Sequence, residues 1–214
     1  MSDIFKEVDE DLRRDQIEKL WRRYGLYVLA GAVAIVAAVA FYSLYWQPHR
    51  DDKLKAEGDL FFQAVMLRNT SQEREAAQAF SALADRSSSG YGLLARLDEA
   101  STLADRGELA QAVGIYDQLS ASASDPTLRD LATLCSVSLS LDTVDPAELK
   151  ARLDPIAAPD NPLRFSAREL LALLALRKGD SGAAKQMFTE LSTDNSAPQG
   201  VRARAQEMLP TFGS

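Results

Sequence analysis

Between Ala64 and Pro198 the chain repeats itself at a spacing that leaves few folds open. Gly107, Ala112, Tyr116, Leu119 and Pro126 are matched 72 residues later by Gly179, Ala184, Phe188, Leu191 and Pro198. Half of that step, 36 residues, leads back from the first set to Ser71, Ala76, Phe80 and Leu83, the same order of small, aromatic and leucine side chains. The same period links Ala64, Ala100 and Ala172, and also Leu67, Leu103 and Ala175. A period of this length marks stacked supersecondary units, none of which buries its apolar face alone, so at least three are needed. The unit expected between Pro126 and Gly179 is degenerate. It fits only after a shift of one residue, with Leu149, Leu153 and Ile156 in the second-helix places.

Each unit reads as two helices. After Asp51 no segment alternates apolar and polar residues with β-branched enrichment, so strands are not expected. Breakers separate segments of helical length: Asn69-Thr70-Ser71, Ser87 to Gly90, Gly107, Asp125-Pro126, Asp145-Pro146, Pro159 to Pro162, Gly179-Asp180 and Ala197-Pro198. Asp125-Pro126 and Asp145-Pro146 are helix starts, a capping carboxylate followed by proline at the first helical position. Gly107 and Gly179 stand where a helix ends and turns. Small alanines at the crossing let two helices pack closely, and the aromatic past the turn fills the gap to the next hairpin.

Ahead of the repeats, Tyr24 to His49 holds no Asp, Glu, Lys or Arg. The apolar run from Gly25 to Trp46 would span about 33 Å as a helix, against a hydrocarbon core of roughly 30 Å. Aromatics bracket it: Trp21, Tyr24 and Tyr27 before, and Phe41, Tyr42, Tyr45 and Trp46 after. A cleaved signal peptide would have a shorter core behind a short basic head. The expectation is therefore an uncleaved single transmembrane helix over 24–48. Five basic residues close before it, against three close after, favour a cytoplasmic N-terminus and a periplasmic domain over 49–214. This is the topology of a single-pass protein of a bacterial inner membrane. Ala30, Ala34 and Ala38 recur on one face of the span. That stripe serves either as a surface for close helix packing or as part of an alanine-rich anchor. Residues 1–23 place Ile4, Phe5, Val8, Leu12, Ile17 and Leu20 at helical spacing among charges, an amphipathic tail. It suits a membrane surface, a cytoplasmic partner or a solvated leader.

Composition removes most chemistry. With 24 basic and 31 acidic residues the net charge is −7, which argues against a nucleic-acid partner. The only histidine, His49, follows Pro48 at the end of the apolar run, so no Ser-His-Asp or Cys-His set assembles around it. Cys135, the only cysteine, falls among Leu131, Leu134 and Leu139 and reads as a small core hydrophobe. Neither a zinc cluster nor a glycine-rich phosphate loop is present. Asp51-Asp52 and Asp98-Glu99 are adjacent carboxylates that helical geometry points to different faces. The Gly90-Tyr91-Gly92 stretch reads as a loop ahead of a helix. No enzyme, cofactor or metal is expected.

The repeat pattern resembles the tetratricopeptide repeat family, whose units place a small residue on the first helix, then glycine, alanine, an aromatic and a terminal proline. The resemblance covers about residues 54–209 and is best at Gly107 to Pro126 and Gly179 to Pro198. Departures are the spacing of 36 where 34 is usual, the missing tryptophan of each first helix, and the poor third unit. The resemblance implies an all-α solenoid of about four hairpins with a capping helix after Pro198. It also implies a groove lined by the first helices. Motif by motif, its walls fall on Phe61, Val65, Arg68 and Asn69 in the first unit, then on Leu94, Leu97, Ser101 and Asp105 in the second. In the fourth they fall on Ser166, Glu169, Leu173 and Arg177. Each of these is either a partner contact or part of the core.

The arrangement of charged tail, single span and repeat domain is further similar to the YfgM-type ancillary subunits of the SecYEG translocon. That likeness implies a non-enzymatic interaction protein whose partners are translocon subunits, a PpiD-type periplasmic chaperone and emerging client chains. The alternative is a scaffold for another envelope assembly, such as cytochrome maturation, division or outer-membrane insertion, because the fold does not choose among them. Self-association through the alanine stripe or the groove is a further expectation.

Overall fold

In the computed structural model the described residues are 23, 24, 26, 27, 29–42, 44 and 47–213. The chain divides into two compact units, Met1–Ala56 and Glu57–Ser214. In the first, residues 29–41 are helical, and their large apolar side chains are open, from Val39 at 61% to Val36 at 68% exposed. Ala30, Ala34 and Ala38 are exposed as well. Among the described residues no helix is long and apolar enough to cross a membrane. Gly25, Val28, Ser43, Tyr45 and Trp46, which the expected span includes, lie outside the described residues, as do residues 1–22 of the expected amphipathic tail.

Among the described residues nine helices follow: α1 (Gln47–Asn69), α2 (Glu73–Arg86), α3 (Gly90–Asp105), α4 (Leu109–Ser122), α5 (Pro126–Ser140), α6 (Pro146–Leu153), α7 (Arg164–Arg177), α8 (Ser181–Thr193) and α9 (Gln199–Met208). A 3-10 turn, Leu209–Phe212, closes the chain. Among the described residues there is no strand. The odd-numbered helices α1, α3, α5 and α7 open four hairpins, α2, α4, α6 and α8 close them, and α9 covers the end. This is the all-helical solenoid that the period implied.

The period is written into the backbone at the hairpin turns. Gly107 and Gly179 both sit at φ +80°, and Ser71, one period earlier, sits at φ +60°. All three turns carry the same pair of hydrogen bonds. The N–H groups of Gln72, Glu108 and Asp180 donate to the carbonyls of Leu67, Leu103 and Ala175, at 3.0, 2.9 and 3.0 Å. The N–H groups of Ser71, Gly107 and Gly179 donate to Arg68, Ala104 and Leu176. This is the left-handed helix terminus that satisfies the last carbonyls, and it favours a residue without a β-carbon.

Crossing positions are filled by methyl groups. Ala64, Ala100 and Ala172 on the first helices, and Ala76, Ala112 and Ala184 on the second, have no solvent exposure. Phe80, Tyr116 and Phe188 are buried next to them, with Leu83, Leu119 and Leu191 one turn on. The degenerate third unit substitutes Leu149, Leu153 and Ile156, all buried. At its own crossing place stands Ser136, fully buried. Its hydroxyl donates to Asp117 at 2.6 Å and accepts from Arg152 at 3.0 Å. Arg152 also reaches Asp117 at 2.6 Å, so α4, α5 and α6 meet at one polar knot.

Local rules set the remaining boundaries. Asp125 and Asp145 cap α5 and α6 through the N–H groups of Leu128 and Ala147, with proline at the first helical position of each. The Pro159 to Pro162 stretch is a run of turns held by Asn161, whose amide donates to Asp130 at 2.7 Å. Gly90-Tyr91-Gly92 is a correction: it is the first turn of α3, capped by Ser89, and not a loop. Gly92 is needed for space, because a β-carbon there would strike the Ser87 carbonyl. Across the C-terminal end, Val201 and Ala205 of α9 pack against Phe165, Phe188 and Leu191. The Phe212 ring stands 6.0 Å from that of Phe188.

These turns make separable predictions for thermal unfolding followed by circular dichroism. Ser71→Gly relieves the left-handed strain and should stabilise the domain by about 0.5 kcal/mol. Gly107→Ala has open space for its methyl, so its cost is conformational alone, about 1 kcal/mol. Gly92→Ala should cost about 2 kcal/mol, because backbone must move.

Candidate protein-binding cleft

The first helices of successive hairpins share a face, and their side chains stand in register across it. Leu94, Leu97, Ser101 and Asp105 of α3 lie three to four residues apart and therefore on one side of the helix. Stepping by 37 residues gives Leu131, Leu134 and Ser138 of α5, with Asp142 in the turn beyond it, and by a further 35 gives Ser166, Glu169, Leu173 and Arg177 of α7. Between these rows lies an open cleft of about 520 Å³ whose walls come from α3, α5 and α7, with Arg204 of α9 at one side. Tyr116, Leu134, Cys135, Leu139, Leu170 and Leu173 give its apolar surface, and Ser101, Ser138 and Ser166 its hydroxyls. Leu94 and Leu131 stand 45% and 37% exposed.

Three polar features tune this face. Glu169 accepts a two-pronged ion pair from Arg204, with both N–O distances at 2.6 Å. That hydrogen bonding holds the guanidinium pKa above its already high ordinary value. Asp105 is exposed and forms no ion pair among the described residues. The Tyr116 hydroxyl and the Cys135 thiol both lie on the floor. Burial pushes Tyr116 up to about 12 and also raises Cys135, while hydrogen bonding by Tyr116 pulls the thiol partly back. At neutral pH both are uncharged. Among the described residues no cluster of three or more His, Cys, Asp and Glu is placed to hold a metal ion.

A family model described as a tetratricopeptide repeat-like domain matches residues 18–193. The chain belongs to this family. A curated relative, the "Ancillary SecYEG translocon subunit" of Aggregatibacter actinomycetemcomitans, is 23% identical over 193 residues, which cover 89% of this chain and 92% of that one. No solved structure matches the chain.

Within this repeat-like domain the twelve residues expected on the groove separate into groups. Ser101, Asp105, Ser166, Glu169 and Leu173 come together on the cleft. Leu94 is exposed, and Leu97 is half-buried against the cluster formed by Ala100, Tyr116, Leu119 and Ala132. Phe61 and Val65 pack on the core of the first hairpin, and the Phe61 ring stands 5.6 Å from Phe80 and 6.0 Å from Tyr91. Arg68 is held by Asp98 at 2.7 Å, and Asn69 is exposed at the end of α1. Arg177 turns to the carbonyls of Leu141 and Val144, the latter at 2.6 Å, and closes the third hairpin turn in place of a glycine.

The α5 contribution to the cleft was missed from the sequence. A strict step of 36 lands on Asp130, Thr133 and Val137, of which Val137 is fully buried. The one-residue shift already needed for the second helix of that unit, applied one helix earlier, lands on Leu131, Leu134 and Ser138.

Cys135 gives the cleft a pH signature. Its folded pKa lies above the unfolded value, so the neutral thiol favours folding below that value, and this contribution is lost as pH rises through the folded one. Tyr116→Phe removes the one contact that lowers the thiol. Titration of thiolate absorbance at 240 nm should therefore show a Cys135 midpoint above that of a free cysteine in the native chain, higher again in Tyr116→Phe. A midpoint that falls in the variant would contradict the assignment.

Proposed function

We propose that the chain is a non-enzymatic, membrane-anchored interaction protein that holds a periplasmic chaperone or emerging polypeptides beside the SecYEG translocon. The cleft carries this reading: three first helices present an apolar floor with serine hydroxyls, a surface suited to protein segments. Membership of a repeat-like family supports a binding role. The relative's title, together with matched coverage of both chains, supports the translocon as the assembly. In this reading residues 1–23 form a cytoplasmic tail, 24–48 the anchor and 49–214 the periplasmic domain of an inner-membrane protein. The open apolar side chains of 29–41 support the anchor, since lipid is the solvent in which they cost nothing. Ser101, Asp105, Ser166, Glu169 and Leu173, joined by Leu94 and Leu131, contact the partner. Translocon subunits and a PpiD-type chaperone are the partners that this reading names. Helix packing through Ala30, Ala34 and Ala38 belongs to the same proposal.

The test is purification of the tagged full-length chain from its own cells in mild detergent, with quantitative mass spectrometry of what accompanies it. The wild-type chain should bring translocon subunits. The pair Leu94→Asp and Leu131→Asp, at exposed positions, should reduce the partners held by the cleft by about tenfold with an unchanged melting temperature. Undiminished capture would overturn the cleft as the contact. A different envelope assembly in place of translocon subunits would move the function to the scaffold reading.

A further inference from the structure

The junctions inside the stack follow one rule. Each second helix presents a ridge of large apolar side chains, and the helix after it covers that ridge. Phe80 and Leu83 of α2 pack with Ala95 of α3, and Tyr116 and Leu119 of α4 with Ala132 of α5. Leu149 and Leu153 of α6 pack with Ala167 of α7, and Phe188 and Leu191 of α8 with Val201 of α9. α9 leaves polar side chains exposed, among them Gln206 and Glu207, as the end of a solenoid requires.

The covering face keeps a register. On α3 it consists of Ala95, Asp98 and Thr102. Stepping by 37 residues gives Ala132, Cys135 and Leu139, and by a further 35 gives Ala167, Leu170 and Leu174. Every one of these is buried or half-buried. One step of 36 back from α3, the same face of α1 holds Asp59, Phe62 and Met66. Among the described residues no hairpin precedes α1, and here the face is open, with Phe62 64% and Met66 46% exposed. From Leu60 to Leu67 only Gln63 is polar, and a helix that is apolar all round is one that other elements cover all round.

We infer that this open face of α1 seats an α-helix of another protein, one that brings a free apolar ridge of its own. The site is separate from the cleft, and the inference goes beyond the reading given above. The occupant follows from the junction that recurs in the chain, since in this register a first helix meets the ridge of a helix each time. A second copy has no such ridge to offer, because α3, α5, α7 and α9 already cover those of α2, α4, α6 and α8. The place of the inner alanines is taken by Asp59, so the partner helix also carries a hydrogen-bond donor there; a carboxylate buried without one would be costly. Opposite Phe62 it carries a small residue, because ridges pack into grooves.

The test places a photo-crosslinking amino acid at Phe62, at Met66 and, as a control, at the exposed Gln78 of α2 in the full-length chain, irradiated in intact cells. Cross-linked peptides are identified by mass spectrometry. Positions 62 and 66 should both give a peptide of the same other protein, with apolar residues at helical spacing, at about ten times the yield from 78. Phe62→Ser, read with the cross-linker at 66, should lower that yield about tenfold. The melting temperature of the purified Phe62→Ser chain should be unchanged, since an exposed ring supports no core. Cross-links to a second copy, cross-links to a segment without helical spacing, an equal yield from 78, or no protein cross-link would each overturn the inference. So would a melting temperature several degrees lower in Phe62→Ser. The pair Leu94→Asp and Leu131→Asp should leave the cross-link at 66 in place, which keeps failure of the cleft distinct from failure of this face. Its loss in that pair would make α1 part of the cleft contact and overturn the separate site.

Discussion

Everything in the helical stack depends on how near its helices come where they cross, and that is set by residues that end at the β-carbon. Alanine with no solvent exposure occupies the crossing at positions 64, 76, 100, 112, 172 and 184. An added methylene at such a place has no room, because protein interiors are packed to the density of organic crystals. Close crossing then lets one aromatic per hairpin, Phe80, Tyr116 or Phe188, close the gap beside it. The turn must return the chain at the right angle, and the left-handed residue at 71, 107 or 179 does so with two hydrogen bonds. Alanine, aromatic and turn are one device used three times.

The third hairpin shows what happens when the device is altered. A serine at its crossing carries a hydroxyl into the interior, where a lone polar group would be costly. Asp117 and Arg152 answer it, so a polar knot joins three helices. No left-handed glycine ends α5, and Arg177 of the next unit supplies donors to the carbonyls of that turn. The irregular unit is held by long side chains in place of a backbone motif, and its one-residue shift sets α5 against its neighbours so that Leu131 and Ser138 line the cleft.

Much of this was legible from residues with a single physical use. Glycine at φ +80°, proline after a capping aspartate and alanine at a crossing each leave little choice, so hairpin order, helix starts and the closing helix could be read directly. The groove was legible only by analogy of position, because a half-apolar helix face does not say which of its side chains a neighbouring hairpin will cover. Phe61 and Val65 fell to the core for that reason, since α2 and α3 pack on the same stretch of α1. Arg68 and Arg177 show a second limit: a long cation finds whichever carboxylate or carbonyl the fold brings near, and sequence spacing does not reveal it. The shift in the third unit was visible in its second helix, yet its consequence for the first became clear only in three dimensions.

The central claim is that the face shared by α3, α5 and α7 is where this protein meets its partner. A photo-crosslinking amino acid at Leu131, irradiated in intact cells, tests it most directly, with the same residue at the exposed Gln186 of α8 as the control. Cross-linked peptides of a translocon subunit or its periplasmic chaperone from position 131, and none from 186, are the result predicted here. The same cross-links from both positions, or from 186 alone, would contradict it.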